Sequence, residues 1–145
     1  MTKLDAIIEE FDDLDYQERL ELLLDFSESL PELPDPYRAE RDAGLHRIPE
    51  CMTPVFLWVE VVNGHVKLIA DVAPEAPTVK GFVAILVDAW NGATPEEIAH
   101  APSDILGHMG LAEKLGMARL RGLNAIVYRI KNEVAKRNGA VQAGT

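Results

Sequence analysis

Two β-branched segments joined by Asn63-Gly64 limit the fold of this 145-residue chain more than any other feature. Residues 55–62 and 66–71 are rich in Val, Ile and Leu, which predicts two strands. Asn-Gly between two such segments is the strongest short-range signal for a hairpin, because both residues tolerate a positive φ. A turn of two residues makes the strands antiparallel, so the fold must contain an antiparallel sheet.

The segment before the hairpin contains the single cysteine of the chain, Cys51, between two prolines. Pro49 and Pro54 lack a backbone N–H, so neither a helix nor a β-ladder can run through this segment. The short apolar stretch 45–48 predicts a further strand, which gives a sheet of at least three strands. Cys51 is therefore expected on a stiffened loop, a position that favours function. A lone cysteine is otherwise most often a small buried apolar residue.

Helical periodicity covers most of the remaining chain, so the predicted fold class is α+β. The helix that follows the Thr78 cap is apolar nearly all round over residues 82–86, which predicts that it forms the centre of the core. Other predicted helices occupy residues 3–13, 16–30 after an Asp15–Glu18 capping box, about 95–100 after the Thr94 cap, 104 to about 110 after the Ser103 cap, and about 117–137.

The chain length predicts a single domain over residues 1–138. Residues 139–145 are small and polar, so a frayed C-terminal tail is expected there. Residues 31–44 contain three prolines and many charges, which predicts a connection that runs over the surface.

Acidic residues are concentrated in the first third of the chain. Residues 1–50 carry 15 acidic and 5 basic side chains, which accounts for the whole net charge of −10. An acidic chain without a basic stripe is a poor ligand for nucleic acids and is repelled by anionic membranes. With no signal peptide, no apolar run long enough to span a bilayer and one free thiol, the sequence favours a reducing cytoplasm.

Three segments occur in an order and spacing that are specific when taken together. ECMTPVFL at residues 50–57 is similar to the pattern Gly-Cys-x-Ser/Thr-x-Val-aromatic-Leu. APTVKGFVA at residues 76–84 is similar to Ala-x-x-Val-Lys-Gly-Leu-Ile-Ala, and RLRGLNAI at residues 119–126 to Arg-x-x-Gly-Leu-x-Ala-Met. On these segments the chain resembles the SufE family over roughly residues 20–135. It departs from the family pattern at Glu50, where Gly is usual, and at Gly116-Met117, where many members have Ser-Pro.

The resemblance implies both a fold and a function. The fold would be α+β, with a three-stranded antiparallel sheet and helices packed on one face, as in SufE and IscU-like proteins. The function would be that of a sulfur acceptor, which takes persulfide sulfur from a pyridoxal-phosphate-dependent, SufS-like cysteine desulfurase and stimulates that enzyme. The sulfur would then pass to a SufBCD-like iron–sulfur scaffold. In this role the chain is a partner of an enzyme, not an enzyme alone, and has no cofactor of its own.

Sulfur transfer requires one nucleophilic thiolate and benefits from the lack of a second thiol nearby. Cys51 is therefore the candidate persulfide carrier, and Arg119, which matches the arginine of the family, is the candidate cation that stabilises its thiolate. The candidates for contact with a partner are Glu50, Met52, Thr53, Pro54, Asp71 and Lys80. The residues beside Cys51, namely Met52, Pro54 and Val55, hydrate poorly. We therefore expect Cys51 to be sheltered in the free protein and its loop, residues 50–54, to move when the desulfurase docks.

Two other functions are consistent with these residues. A single-cysteine redox sensor or peroxide reducer would need an exposed thiol of low pKa, whereas a carrier tolerates a sheltered one. A structural adaptor would need no chemistry from Cys51. The four histidines lack metal-ligand spacing, one cysteine cannot hold a cluster, and the chain has no P-loop or Gly-rich dinucleotide turn. No metal site is therefore expected.

Overall fold

A two-stranded antiparallel sheet packs with helices in the computed structural model, which describes residues 1–143. The elements are α1 Lys3–Glu9, α2 Tyr16–Ser27, α3 Asp35–Asp42, β1 Val55–Val62, β2 His65–Val72, α4 Pro77–Trp90, α5 Pro95–His100, α6 Ile105–His108, a 3₁₀ helix at Ala112–Lys114 and α7 Met117–Ala143. The last helix thus continues past residue 137 through most of the segment predicted to be a frayed tail. Residues 144 and 145 of that tail lie outside the described residues.

The hairpin forms as the sequence predicts. Asn63 and Gly64 have φ values of 53° and 78°, and the flanking residues Val62 and His65 are paired. Left-handed backbone at both central residues is the geometry of a type I′ turn, which matches the right-handed twist of the strands. The hairpin therefore fixes the register of β1 against β2 from Val55, opposite Val72, to its turn.

The prediction of a third strand at residues 45–48 is wrong. This segment makes only an isolated bridge, between Arg47 and Phe56, with the Ile48 N–H donating to the Val55 carbonyl at 2.8 Å. His46 has a φ of 65°, which interrupts the extended backbone on one side of the bridge. Pro49 lacks the N–H that would continue the pairing on the other side. The segment before the cysteine loop is thus anchored to β1 without forming a strand.

The resemblance implied helices on one face of the sheet, but in the structure helices pack on both faces. The core side of β1 carries Val55, Leu57 and Val59, all buried. Trp58 is buried as well, but strand alternation places it on the opposite face of the sheet, where α3 covers it. The Tyr37 ring packs edge-on against the indole at 5.3 Å, and the indole N–H donates to a Glu40 carboxylate oxygen at 2.6 Å.

Helix α3 itself lies inside the segment predicted to be a surface connection. Pro34 is its N-cap and Pro36 is in its first turn. Backbone N–H groups in the first turn have no partner within a helix, so proline is tolerated there. The ion pair between Arg41 and Asp71, at 3.1 Å, joins α3 to β2.

Helix α4 is the central core helix, as predicted, and is buried at nearly every position from Gly81 to Trp90. It contacts α1, α2 and β2, while α7 packs against β1 and α5. A Cβ at position 81 would overlap the carbonyl group of Leu23, so glycine is required for the close approach of α4 to α2. The central position of α4 leaves α7 to cover the segment that contains the cysteine.

The predicted caps are correct for two helices and wrong for two. Asp15 and Glu18 form the capping box of α2, and the Thr94 hydroxyl accepts from the Glu97 N–H at the start of α5. Helix α4 begins after Ala76 without a side-chain cap, two residues earlier than a Thr78 cap would allow. Asp104, not Ser103, caps α6, and its carboxylate accepts from the Gly107 N–H at 3.1 Å.

Candidate functional site

The loop of residues 49–54 holds Cys51 against the side of α7. The Cys51 N–H donates to the Ile48 carbonyl at 3.3 Å, which curls the loop into a turn after Pro49. The thiol Sγ lies 3.4 Å from the carbonyl oxygen of Gly122, to which it donates a hydrogen bond. Gly122 has no side chain, so the α7 backbone comes close to the thiol. The loop, the isolated bridge and α7 together position the sulfur atom.

Cys51 is buried, with an exposed fraction of 7%, as predicted from its sequence neighbours. Burial raises the pKa of the thiol to about 11, because a thiolate is poorly solvated there. The adjacent Glu50 carboxylate is a smaller cause of the same rise in pKa, and Arg47 acts in the opposite direction. In the free protein the thiol is thus neutral near pH 7 and a weak nucleophile.

A cavity of about 480 Å³ opens beside the thiol. It lies between the cysteine loop, the start of α4 and the first turns of α7. Its apolar lining includes Val79, Leu115 and Leu123. Two methionines at its border are exposed to solvent, Met52 by 92% and Met117 by 74%. A buried thiol therefore faces a space that an incoming group can enter and that is bordered by exposed apolar side chains.

The residues predicted for the site occupy three places: the cavity beside Cys51, the end of the cysteine loop, and a second cavity. Glu50, Met52, Thr53 and Arg119 line the cavity beside Cys51. Arg119 is exposed in the first turn of α7, and the cation that acts on the thiol in this structure is Arg47, not Arg119. Pro54 is exposed at the end of the loop, where its carbonyl accepts from the Ala73 N–H at 3.3 Å.

Asp71 and Lys80 lie at a different cavity. That cavity, of about 350 Å³, is also lined by Arg38 and Arg41 of α3. Asp71 is engaged there in its ion pair with Arg41. The structure thus separates these two candidates from the residues that surround the thiol.

Sequence reasoning missed the contact of Glu50 with Arg129. Glu50 Oε1 lies 3.7 Å from Arg129 Nη2, with both side chains partly exposed. Arg129 is seven residues after Gly122, so both residues are on the same face of α7. The sequence offered one signal for this contact. Glu50 stands where the family pattern has an uncharged residue, so its charge needs a partner or solvent, and Arg129 lies on the face of α7 that carries Gly122.

The part of the chain that the structure describes contains neither a candidate metal site nor a helix that could span a membrane. No group of three His, Cys, Asp or Glu side chains within residues 1–143 is arranged to hold a metal ion. None of the helices described is both long enough and apolar enough to cross a bilayer.

The family profile and several curated relatives point to the same family. The sequence profile of SufE, described as an Fe-S metabolism associated domain, matches residues 5–134. An uncharacterized SufE-like protein of Mycobacterium tuberculosis is 34% identical over 132 residues, which is 90% of each chain. One from Rhizobium etli is 29% identical over 97% of this chain and 95% of its own. The solution structure of a hypothetical protein from Thermus thermophilus matches with a TM-score of 0.79 and 33% identity, covering 96% of this chain and 99% of that one.

Proposed function

This chain belongs to the SufE family, the Fe-S metabolism associated domain, and we propose that it accepts persulfide sulfur on Cys51 from a cysteine desulfurase. The observation that carries the proposal is the position of the only thiol. Cys51 is in the family's cysteine segment, is buried against α7, and borders an open cavity of about 480 Å³. A sulfur carrier needs such a thiol, protected between transfers and close to a space for the incoming persulfide.

The transfer is an exchange that needs no oxidant or reductant. The Cys51 thiolate attacks the outer sulfur of the desulfurase persulfide and forms a new S–S bond. The S–S bond of the donor breaks, and the donor sulfur leaves as a thiolate that takes up the proton released by Cys51. Removal of the sulfur frees the desulfurase for its next turnover, which accounts for stimulation. The sulfur on Cys51 then passes by the same exchange to an iron–sulfur scaffold.

The raised thiol pKa requires that docking change the surroundings of Cys51. While the loop is closed, burial disfavours the thiolate. Movement of the loop toward Arg119, which lines the same cavity, would bring the thiol close to a cation and favour the thiolate. Arg119 is therefore proposed to act in the open loop, when the partner is bound.

The surface around the cavity is the proposed docking site for the desulfurase. Met52 and Met117 are exposed there, and methionine side chains adapt to an irregular partner surface. Thr53 and Pro54 extend this surface along the loop. Asp71 and Lys80, at the neighbouring cavity, are proposed as a second contact with a partner. These exchanges require a reduced thiol, so the proposed location is the cytoplasm.

The alternative function, a thiol redox sensor, fits the site less well. Oxidation by peroxide requires an accessible thiolate of low pKa. Burial raises the pKa of Cys51 to about 11 and leaves only 7% of the residue exposed. A sensor of this kind would respond slowly, whereas a carrier gains protection of its sulfur from the same environment.

The test is the turnover of the cognate desulfurase in the presence of this protein and its variants. We expect the wild type to stimulate turnover in a saturable manner and Cys51→Ala to give no stimulation. Met52→Ser should raise the half-saturating concentration, because it removes an apolar docking contact. Val62→Ser is the matched control, since Val62 is also exposed, by 51%, but lies at the far end of β1. Full stimulation by Cys51→Ala would refute the proposal.

A further inference from the structure

Among the described residues, two polar contacts join the cysteine loop to α7. One is the hydrogen bond from Cys51 Sγ to the Gly122 carbonyl oxygen, at 3.4 Å. The other is the ion pair of Glu50 with Arg129, whose side chains are 48% and 38% exposed. Because Glu50 directly precedes Cys51 in the chain, the thiol cannot leave α7 by more than a short distance while the ion pair remains formed.

We propose that Glu50 and Arg129 are positioning residues that hold the loop closed and set how often Cys51 becomes accessible. The inference deepens the proposed function, because it concerns access to the same thiol. Neither side chain takes part in the exchange of sulfur. Their role is to keep the loop on α7 until a partner docks and supplies other contacts for the two charges.

The strength of such a contact suits a loop that must open. Exposed ion pairs typically contribute between about 0.2 and 1 kcal/mol, which corresponds to a change of about 1.5- to 5-fold in the ratio of closed to open loop. A contact of this size lowers the open population in the free protein. A docking partner can still displace it, since one new charged contact at the interface offsets the loss.

Glu50 has a second effect on Cys51, which the experiment must separate from the first. Its negative charge disfavours the thiolate, so the removal of Glu50 would increase thiol reactivity even in a loop that does not move. Removal of Arg129 has no such effect, since the loss of a positive charge cannot favour a thiolate. Acceleration by an Arg129 variant therefore reports on the loop alone.

The test is the alkylation of Cys51 by a bulky maleimide in the free protein, in the concentration range where the rate is proportional to reagent. Each rate is divided by the fraction of the thiol that is present as thiolate. That fraction is calculated from the thiol pKa, which is measured for each variant by ultraviolet absorbance. We expect Glu50→Gln and Arg129→Gln each to accelerate labelling by about 1.5- to 5-fold, and the double variant by no more than either single one. Arg129→Lys should restore most of the slow rate.

The matched control is Glu133→Gln. Glu133 forms an ion pair with Arg137 at 3.8 Å on the same helix, but with no residue of the cysteine loop. Its variant should label at the wild-type rate. Three results would overturn the inference: a wild-type rate for Arg129→Gln, additive effects in the double variant, or equal acceleration by Glu133→Gln. The assay contains no desulfurase, so such a failure would leave the proposed sulfur transfer intact.

Discussion

The protection of Cys51 comes from residues that are distant in the sequence. Its neighbours in the chain give little cover, because Met52 is 92% exposed and Pro54 is also exposed. The cover comes from α7, where the Gly122 carbonyl oxygen lies 3.4 Å from Sγ, and from the buried core cluster to which Cys51 belongs. The expectation of a sheltered thiol is confirmed, but of the three chain neighbours from which it was argued only Val55 is buried. A sequence lists neighbours along the chain and not the helix that packs over them.

Burial of the thiol links the stability of the fold to pH. The folded-state pKa of Cys51 is about 11, compared with an ordinary value of 9.0 for an exposed thiol. Below pH 9 the thiol is protonated in both states, so its contribution to stability is fully present. As pH rises from 9 to 11 the unfolded chain loses the proton first, and the contribution is lost progressively.

We therefore expect the free energy of unfolding of the wild type to fall, relative to that of Cys51→Ser, by roughly 2 kcal/mol between pH 9 and 11. The measurement is urea denaturation of both proteins at a series of pH values. The serine variant cancels the contribution of other groups that titrate in this range, because serine does not ionise there. A constant difference between the two proteins across the series would show that the thiol is not desolvated.

At the scale of secondary structure, local signals predicted the elements that depend on local contacts. The Asn63-Gly64 turn, the Asp15–Glu18 capping box and the apolar helix α4 were all predictable, since each depends on residues within a few positions. Helix α3 was not predictable, because the three prolines of its segment indicated an irregular connection. The eight-residue helix forms by packing against Trp58 of β1. The prediction of a third strand is wrong because an apolar segment gives no sign of the left-handed backbone at His46.

The turn of the hairpin offers a test of the element that fixes the register of the sheet. Gly64 has a φ of 78° and a Cβ there would meet nothing within 4 Å, so any cost of substitution is conformational. We expect Gly64→Ala to lower the free energy of unfolding by about 1–2 kcal/mol. The measurement is urea denaturation monitored by circular dichroism.

Gly139 provides the control for this substitution. A Cβ at Gly139 would also meet nothing within 4 Å, but this glycine lies in α7 with an ordinary helical backbone. Gly139→Ala should therefore leave stability unchanged or raise it by up to about 1 kcal/mol, because alanine favours a helix. Equal effects of the two substitutions would mean that positive φ is not what position 64 requires.

At the scale of the whole molecule, α7 combines two tasks that the sequence presents separately. Its apolar side, including Ile126, Ile130 and Val134, belongs to the core. The same helix presents Gly122 to the thiol and Arg129 to Glu50. The family pattern predicted that residues 119–126 matter for the site, but the contacts that join them to the cysteine loop connect residues far apart in the chain and were not predictable from periodicity.

The central claim is that Cys51 carries sulfur, and the most direct measurement of it is the intact mass of the protein. The chain is incubated with a cognate desulfurase and cysteine, and its mass is recorded before and after treatment with a reductant. We predict the addition of one or more sulfur atoms that the reductant removes, and no addition to Cys51→Ser, which should retain the fold. Sulfur uptake by the serine variant, or no uptake by a wild type that binds the desulfurase, would contradict the account.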